Sequence, residues 1–161
     1  MNDSERPSRH ENLMEMAWVI SKRSTCSRLN VGAIFARDGR VLMAGYNGAP
    51  SGLPHCNHVC SCPSYEKTGF HDPICRVLQP CSHAEHAERN GIAFAARYGV
   101  ALNNSILYVT HSPCLVCSYI IVGAGVTEVY YDIKYRLSEG LEFLEASKIP
   151  THQIETRGIT E

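Results

Sequence analysis

His83-Ala84-Glu85-His86-Ala87-Glu88-Arg89-Asn90 opens a stretch that passes through a helix-like and a strand-like segment to Ser112-Pro113-Cys114-Leu115-Val116-Cys117. Its second end is the simpler to read. Ser112 is a good helix N-cap and Pro113 suits a first turn, so the cysteine pair is predicted at a helix N-terminus. The partial positive charge of that end lowers thiol pKa and favours thiolates. Three-residue spacing puts both sulfurs on one helix face, as two ligands of a tetrahedral zinc require. Taken alone, the pair fits a redox dithiol or a structural half-knuckle equally well.

His86-Ala87-Glu88 shifts that balance. Positions i and i+2 do not face each other on an ideal helix, so both reach one metal only from a first turn. Gln79, Pro80 and Ser82 upstream fit a helix start there. Two helix N-termini then converge, carrying one imidazole and two thiolates and leaving the fourth position to water, the mark of a catalytic site. A carboxylate two residues from the His ligand can take a proton from that water and return it to a leaving group. A lone His-x-Glu reads better as a solvated helix start. Joined to Ser-Pro-Cys-x-x-Cys after an intervening strand, it reads better as a metal centre. The stretch offers two overlapping frames, His83-Ala84-Glu85 and His86-Ala87-Glu88.

Working outward, helices are predicted at about 84–98, 114–123 and 138–146, alternating with strands at about 105–110, 127–131 and 152–156. Upstream, Leu13, Met16, Ala17 and Ile20 recur at helical spacing, predicting a helix over about 10–24. Apolar runs at 31–36 and 41–45 join around Asp38-Gly39, a hairpin signal. The alternation predicts an α/β fold: three layers, α/β/α, around a five-stranded mixed sheet whose later crossovers are parallel. At 161 residues the chain is expected to be one domain over 1–161, with a disordered leader at 1–9.

Fifteen Lys and Arg against sixteen Asp and Glu leave no basic surplus, which argues against a nucleic-acid partner. The longest apolar run, 119–126, is too short to span a bilayer, and the polar start has no export-type apolar segment, so a cytoplasmic location is expected. Eight cysteines then point to metal rather than disulfides. Between 51 and 82 stand Pro54, Pro63, Pro73 and Pro80 with Cys56, Cys60, Cys62, Cys75 and Cys81. So long a structureless insert needs a staple, and zinc is the expected one.

Several segments resemble the deoxycytidylate (dCMP) deaminase family of the zinc-dependent, cytidine deaminase-like superfamily. They are His86 to Ile92 with Phe94-Ala95-Ala96-Arg97, Ser24-Thr25-Cys26, Val31-Gly32-Ala33, Gly45-Tyr46-Asn47-Gly48-Ala49-Pro50 and Val109 to Cys114. The resemblance runs from about Ser21 to Tyr135 and selects the second frame, because Asn90 then falls where the family's His-Ala-Glu-x-Asn places it. It implies hydrolytic deamination of dCMP to dUMP, within pyrimidine deoxynucleotide metabolism as a source of the dTMP precursor. His86, Cys114 and Cys117 would hold the catalytic zinc, and Glu88 would shuttle the proton for attack of water on C4 of cytosine. The backbone of Ala87 and Cys114 and the carbonyl of Ser112 would orient the ring. Asn47 would contact the sugar, or serve only as a turn residue beside Gly48. Tyr135 would help close the nucleotide site. Arg97 sits where relatives place an Arg near a subunit interface and effector phosphates.

Some relatives carry a structural zinc, whose ligands would match Cys26, Cys56, Cys75 and His83 here. Cys60, Cys62, His71 and Cys81 could form a further site. Gly91 departs from the commoner Ala of the motif, weakening the helix by about 1 kcal/mol, and Leu115-Val116 stands where a Pro and an acidic residue are usual. The implied partners are the nucleotide substrate, dCTP and dTTP as effectors, and further copies of the chain, up to a hexamer. A 5-modified dCMP, dCTP or single-stranded nucleic acid is the alternative substrate. A zinc-stapled module without chemistry is the reading from another class.

Overall fold

The computed structural model describes residues 6–26, 28–53, 55 and 84–155. Helix α1 spans Arg9–Ser21 and is followed by the hairpin of β1 (Gly32–Arg37) and β2 (Arg40–Tyr46). After the insert come α2 (Ala87–Tyr98), β3 (Ile106–His111), α3 (Leu115–Gly123), β4 (Glu128–Ile133), α4 (Glu139–Ala146) and β5 (Thr151–Gln153). The five strands form one sheet in the order β2-β1-β3-β4-β5. β1 pairs antiparallel with β2 and β3, whereas β3, β4 and β5 run parallel. The sheet is therefore mixed, as expected, with its parallel half built by the later crossovers.

The hairpin turns at Asp38 (φ 53°) and Gly39 (φ 73°). Two consecutive positive φ values make a turn whose twist matches that of the strands, which is why Asp-Gly suits it. Period-two alternation along β1 then builds both layers. Ile34 and Ala36 face α1, where Leu13, Met14 and Ala17 pack with Tyr108. Ala33 and Phe35 face the other way, joining Leu107, Val109 and Val129 beneath Ala87, Ala95, Cys117, Ile121 and Leu144. The second layer thus takes residues from α2, α3 and α4, and the metal-ligand candidate Cys117 is itself a core residue.

Boundaries differ from the sequence reading at informative places. α1 begins earlier, because Ser8 and Glu11 form a reciprocal capping box, so order starts inside the expected leader. α2 begins three residues later than expected, because Glu85 is held extended by backbone hydrogen bonds to Gly48 in both directions (2.8 and 3.1 Å). Gly91 is no defect in the helix. A Cβ there would lie 2.6 Å from Cε2 of Phe35, so the missing side chain lets α2 settle onto β1. No helix among the described residues is long and apolar enough to cross a membrane.

Candidate active site

The carboxyl end of β3 runs through His111, Ser112 and Pro113 into α3, and α2 starts beside it. Both helices have their N-cap in extended conformation, His86 (ψ 152°) for α2 and Cys114 (ψ 166°) for α3. Neither cap side chain bonds the helix's free N–H groups. They point at each other. Nδ1 of His86 lies 3.5 Å from Sγ of Cys114 and 3.4 Å from Sγ of Cys117.

These distances can be set against zinc chemistry. Zn–S of about 2.3 Å and Zn–N of about 2.0–2.1 Å at a tetrahedral angle give an S···N edge of about 3.5 Å. The three donor atoms lie within 4.8 Å of one another, and among the described residues no fourth donor joins them. One imidazole and two sulfurs at tetrahedral spacing fit zinc with one corner free. The proton balance agrees. The Cys114 thiol is pulled well below its ordinary range, first by a hydrogen bond from Cys117 and also by His86. Hydrogen bonding to Cys114 and burial push Cys117 up. The pair therefore shares one proton, with Cys114 the thiolate and Cys117 the donor, and His86 is raised chiefly by its bond to Cys114. A zinc ion on the three donors would replace that proton and let both sulfurs be thiolates.

Glu88 stands in the first turn of α2, 4% exposed. Burial raises its pKa, with a partial offset from its own backbone N–H and from His86. A carboxyl kept from water beside a metal-ligand set is poised to accept a proton and give it back. Glu85 does something else: its carboxylate meets Nε of Arg89 at 2.6 Å, one helical turn on. This division favours the His86 frame. His83 lies outside the described residues.

A single pocket gathers most of the sequence-derived residues: Asn47, Ala87, Glu88, His86, Ser112, Cys114 and Tyr135 all line it. Tyr135 is anchored by its own N–H, which donates to Oγ of Ser112 at 2.7 Å. Asn47, 7% exposed, is mostly engaged with backbone: its Oδ1 accepts from Val31 N–H at 2.7 Å and its Nδ2 donates to the Leu29 carbonyl at 2.6 Å. It brackets the segment before β1 and leaves one N–H for a ligand. Cys26 also lines the pocket, while Cys56, Cys75, Cys60, Cys62, His71 and Cys81 lie outside the described residues. Arg97 is exposed in the last turn of α2, 5.5 Å over the Phe94 ring, and does not line the pocket.

Arg28, Leu29, Val31 and His111 line the pocket too; Val31 and His111 lie in the segments that carry the resemblance, but sequence reasoning assigned none of the four a role in the site. His111 had a signal, its place one residue before Ser112 in the motif. Its ring meets the edge of Trp18 at 5.8 Å, and Trp18 donates to Asp132 at 2.7 Å. Burial lowers the His111 pKa, with a partial offset from Asp132.

The chain matches, over residues 7–133, the family described as "Cytidine and deoxycytidylate deaminase zinc-binding region". It is 33% identical to ComE operon protein 2 of Bacillus subtilis, over 94% of this chain and 74% of that protein. It is 37% identical to the deoxycytidylate deaminase of Schizosaccharomyces pombe over 92% of this chain, but spans only 44% of that longer protein. Among solved structures it resembles the dCMP deaminase of cyanophage S-TIM5, crystallised with dCMP and dUMP. There the TM-score is 0.74 and the identity 32%, over 92% of this chain and 98% of that one. By its ligand triad, its sheet order and these likenesses, the chain belongs to the cytidine and deoxycytidylate deaminase family of zinc-binding proteins.

Proposed function

We propose that this chain hydrolyses dCMP to dUMP and ammonia, and that Glu88, buried against the His86–Cys114–Cys117 triad, carries the proton. Two of the relatives named above, the Schizosaccharomyces pombe protein and the cyanophage enzyme, have deoxycytidylate in their names, which supports this reading. Zinc held by the three ligands would supply a Lewis acid that makes water a nucleophile near neutral pH. Glu88 then takes a proton from the attacking water and returns it to the amino group. The water oxygen becomes bonded to C4, the C4–N bond breaks, and ammonia leaves. Ala87, Ser112 and Cys114 line the same pocket. In this reading the Ala87 and Cys114 backbone and the Ser112 carbonyl orient the ring, Asn47 reaches the sugar with its remaining N–H, and Tyr135 closes over the nucleotide.

Ammonia release measured across cytidine, deoxycytidine, dCMP, dCTP and a dC oligonucleotide tests this reading, with dCMP expected to exceed the rest by a wide margin. Equal or better turnover of the oligonucleotide would sink it in favour of a nucleic-acid deaminase. The 15-to-16 charge balance argues against that alternative.

The finer assignments belong to the same proposal. A structural zinc on Cys26, Cys56, Cys75 and His83 gives the 51–82 insert a staple, and metal analysis should return more than one zinc per chain. Val116, Tyr119 and Ile120 leave the outer face of α3 apolar and exposed, which supports a homo-oligomer, up to a hexamer. Arg97, exposed at the end of α2, is in this reading the group that meets effector phosphates, so dCTP and dTTP should move the rate and Arg97→Ala should blunt that response. A cytoplasmic location fits ligand thiols that must stay reduced.

A further inference from the structure

Helix α4 gives no ligand and no residue to the pocket, yet its first turn touches the backbone that carries Cys114. Gly140 is the point of contact. A Cβ there would overlap the Pro113 carbonyl oxygen and come within 2.9 Å of the carbonyl carbons of Pro113 and Cys114, a distance that real Cβ atoms essentially never show. A second tie runs through Ser118, fully buried in α3. Its hydroxyl has one proton and two carbonyls before it, that of Cys114 at 3.1 Å and that of Gly140 at 3.0 Å. The shared proton fastens the start of α3 to the start of α4. Pro113 on one side and Leu144 on the other are both fully buried, so neither backbone has free room to yield.

We propose that Gly140 and Ser118 are positioning residues of the metal centre, through which the start of α4 fixes the Cys114 backbone and so the spacing of its sulfur from His86. The need is local. At an N-cap whose side chain is committed to metal, no capping bond holds the residue in place. The Cys114 carbonyl is gripped instead by the Ser118 N–H at 2.9 Å and by the Ser118 hydroxyl. Ligand spacing tolerates little error, and groups behind a ligand typically change metal affinity about 10–100-fold when removed. The inference rests on the triad being the zinc site.

The test follows zinc release from the full, zinc-loaded chain into excess chelator, at temperatures where circular dichroism shows every variant folded. Cys114→Ser identifies which zinc belongs to the triad. Gly140→Ala is expected to release that zinc about 10–100-fold faster than the parent, and Ser118→Ala several-fold faster. Gly123→Ala is the control at the far end of α3, where a Cβ meets nothing within 4 Å, and it should match the parent. Should Gly140→Ala not fold, Ser118→Ala decides alone, since it removes one oxygen and adds no bulk. Release at the parent rate from Ser118→Ala and any folded Gly140→Ala would overturn the proposal. A Cys114→Ser chain that keeps the parent's full zinc complement would instead sink the triad as the site, and the inference with it.

Discussion

The starts of α1 and of the α2–α3 pair use the same backbone position for opposite ends. At α1, Ser8 accepts from Glu11 N–H at 3.2 Å while Glu11 accepts from Ser8 N–H at 2.7 Å. Both side chains are spent on the helix itself, which stabilises it by about 1 kcal/mol. At α2 and α3 the cap residues are His86 and Cys114, and neither bonds its own helix. The lost capping is offset from outside: by Asn90 accepting from Tyr46 N–H at 3.3 Å, by Gly45 beneath Ala87, and by Gly140 behind Cys114. A helix start that serves chemistry is held by other elements, and a helix start that serves stability holds itself.

Removing a ligand should break the comparison hardest. His86→Ala takes away the α2 member of the triad, so the catalytic zinc should be lost and turnover should fall to background. Zinc analysis beside the ammonia assay checks it. Cys117→Ser should behave alike and also cost stability, because Cys117 is fully buried in the core. A His86→Ala chain with full zinc and activity would return the assignment to His83 and Glu85.

Glu88→Gln separates holding the metal from using it. The amide keeps the shape of the side chain and cannot accept the proton, so turnover should fall by about 10²–10⁴-fold with zinc retained. Glu85→Gln removes an ion pair to Arg89 whose side chains are 34% and 31% exposed, worth about 1 kcal/mol, and should leave turnover within a few-fold. The same assay on both variants checks the frame, and a dead Glu85→Gln beside an active Glu88→Gln would reverse it.

The glycines at the contact between α2 and the hairpin, Gly45 on β2 and Gly91 in α2 itself, should show the external support directly. Gly45→Ala would drive a Cβ into the Ala87 carbonyl and to 2.6 Å from Gly91 N, and Gly91→Ala would press on the Phe35 ring. Each should destabilise the fold by about 1–3 kcal/mol, the usual cost of overpacking, despite alanine's better helix propensity at Gly91. Denaturant midpoints measure this. A stabilised Gly91→Ala would show that helix propensity outweighs the contact.

These residues also show how far the sequence could be read. The hairpin at Asp38-Gly39 and the order of elements were legible because each is a local pattern with a local cause, whereas the choice of His86 and Glu88 over His83 and Glu85 came from the family resemblance. Gly91 read as a helix-weakening departure and Gly140 was not singled out, because their reasons are contacts with Phe35 and Pro113, distant in sequence. Asn47 was open between sugar contact and turn residue. Its amide also brackets Leu29 and Val31, a pairing that only β1 and β2 lying side by side creates. Arg28, Leu29 and Val31 were given no role in the site for the same reason: the pocket wall they form exists only once the sheet is assembled.

The smallest effect sharpens the contrast most cleanly. Ser8→Ala deletes the acceptor for Glu11 N–H and leaves every residue of the pocket untouched. Ser8 is exposed, so no cavity forms and no buried group is stranded. The loss should be that of a cap alone, about 1 kcal/mol and within 0.5–2. By the size scaling of unfolding, this lowers Tm by about 2–4 °C. Zinc content and the kcat/KM for dCMP should stay at parent values, because α1 packs on the sheet face opposite α2 and α3. Melting curves and the ammonia assay on one preparation measure both. A fall in kcat/KM without a matching fall in Tm would mean that α1's start reaches the site, by way of Trp18 and His111, and would erase the division between the two kinds of helix start.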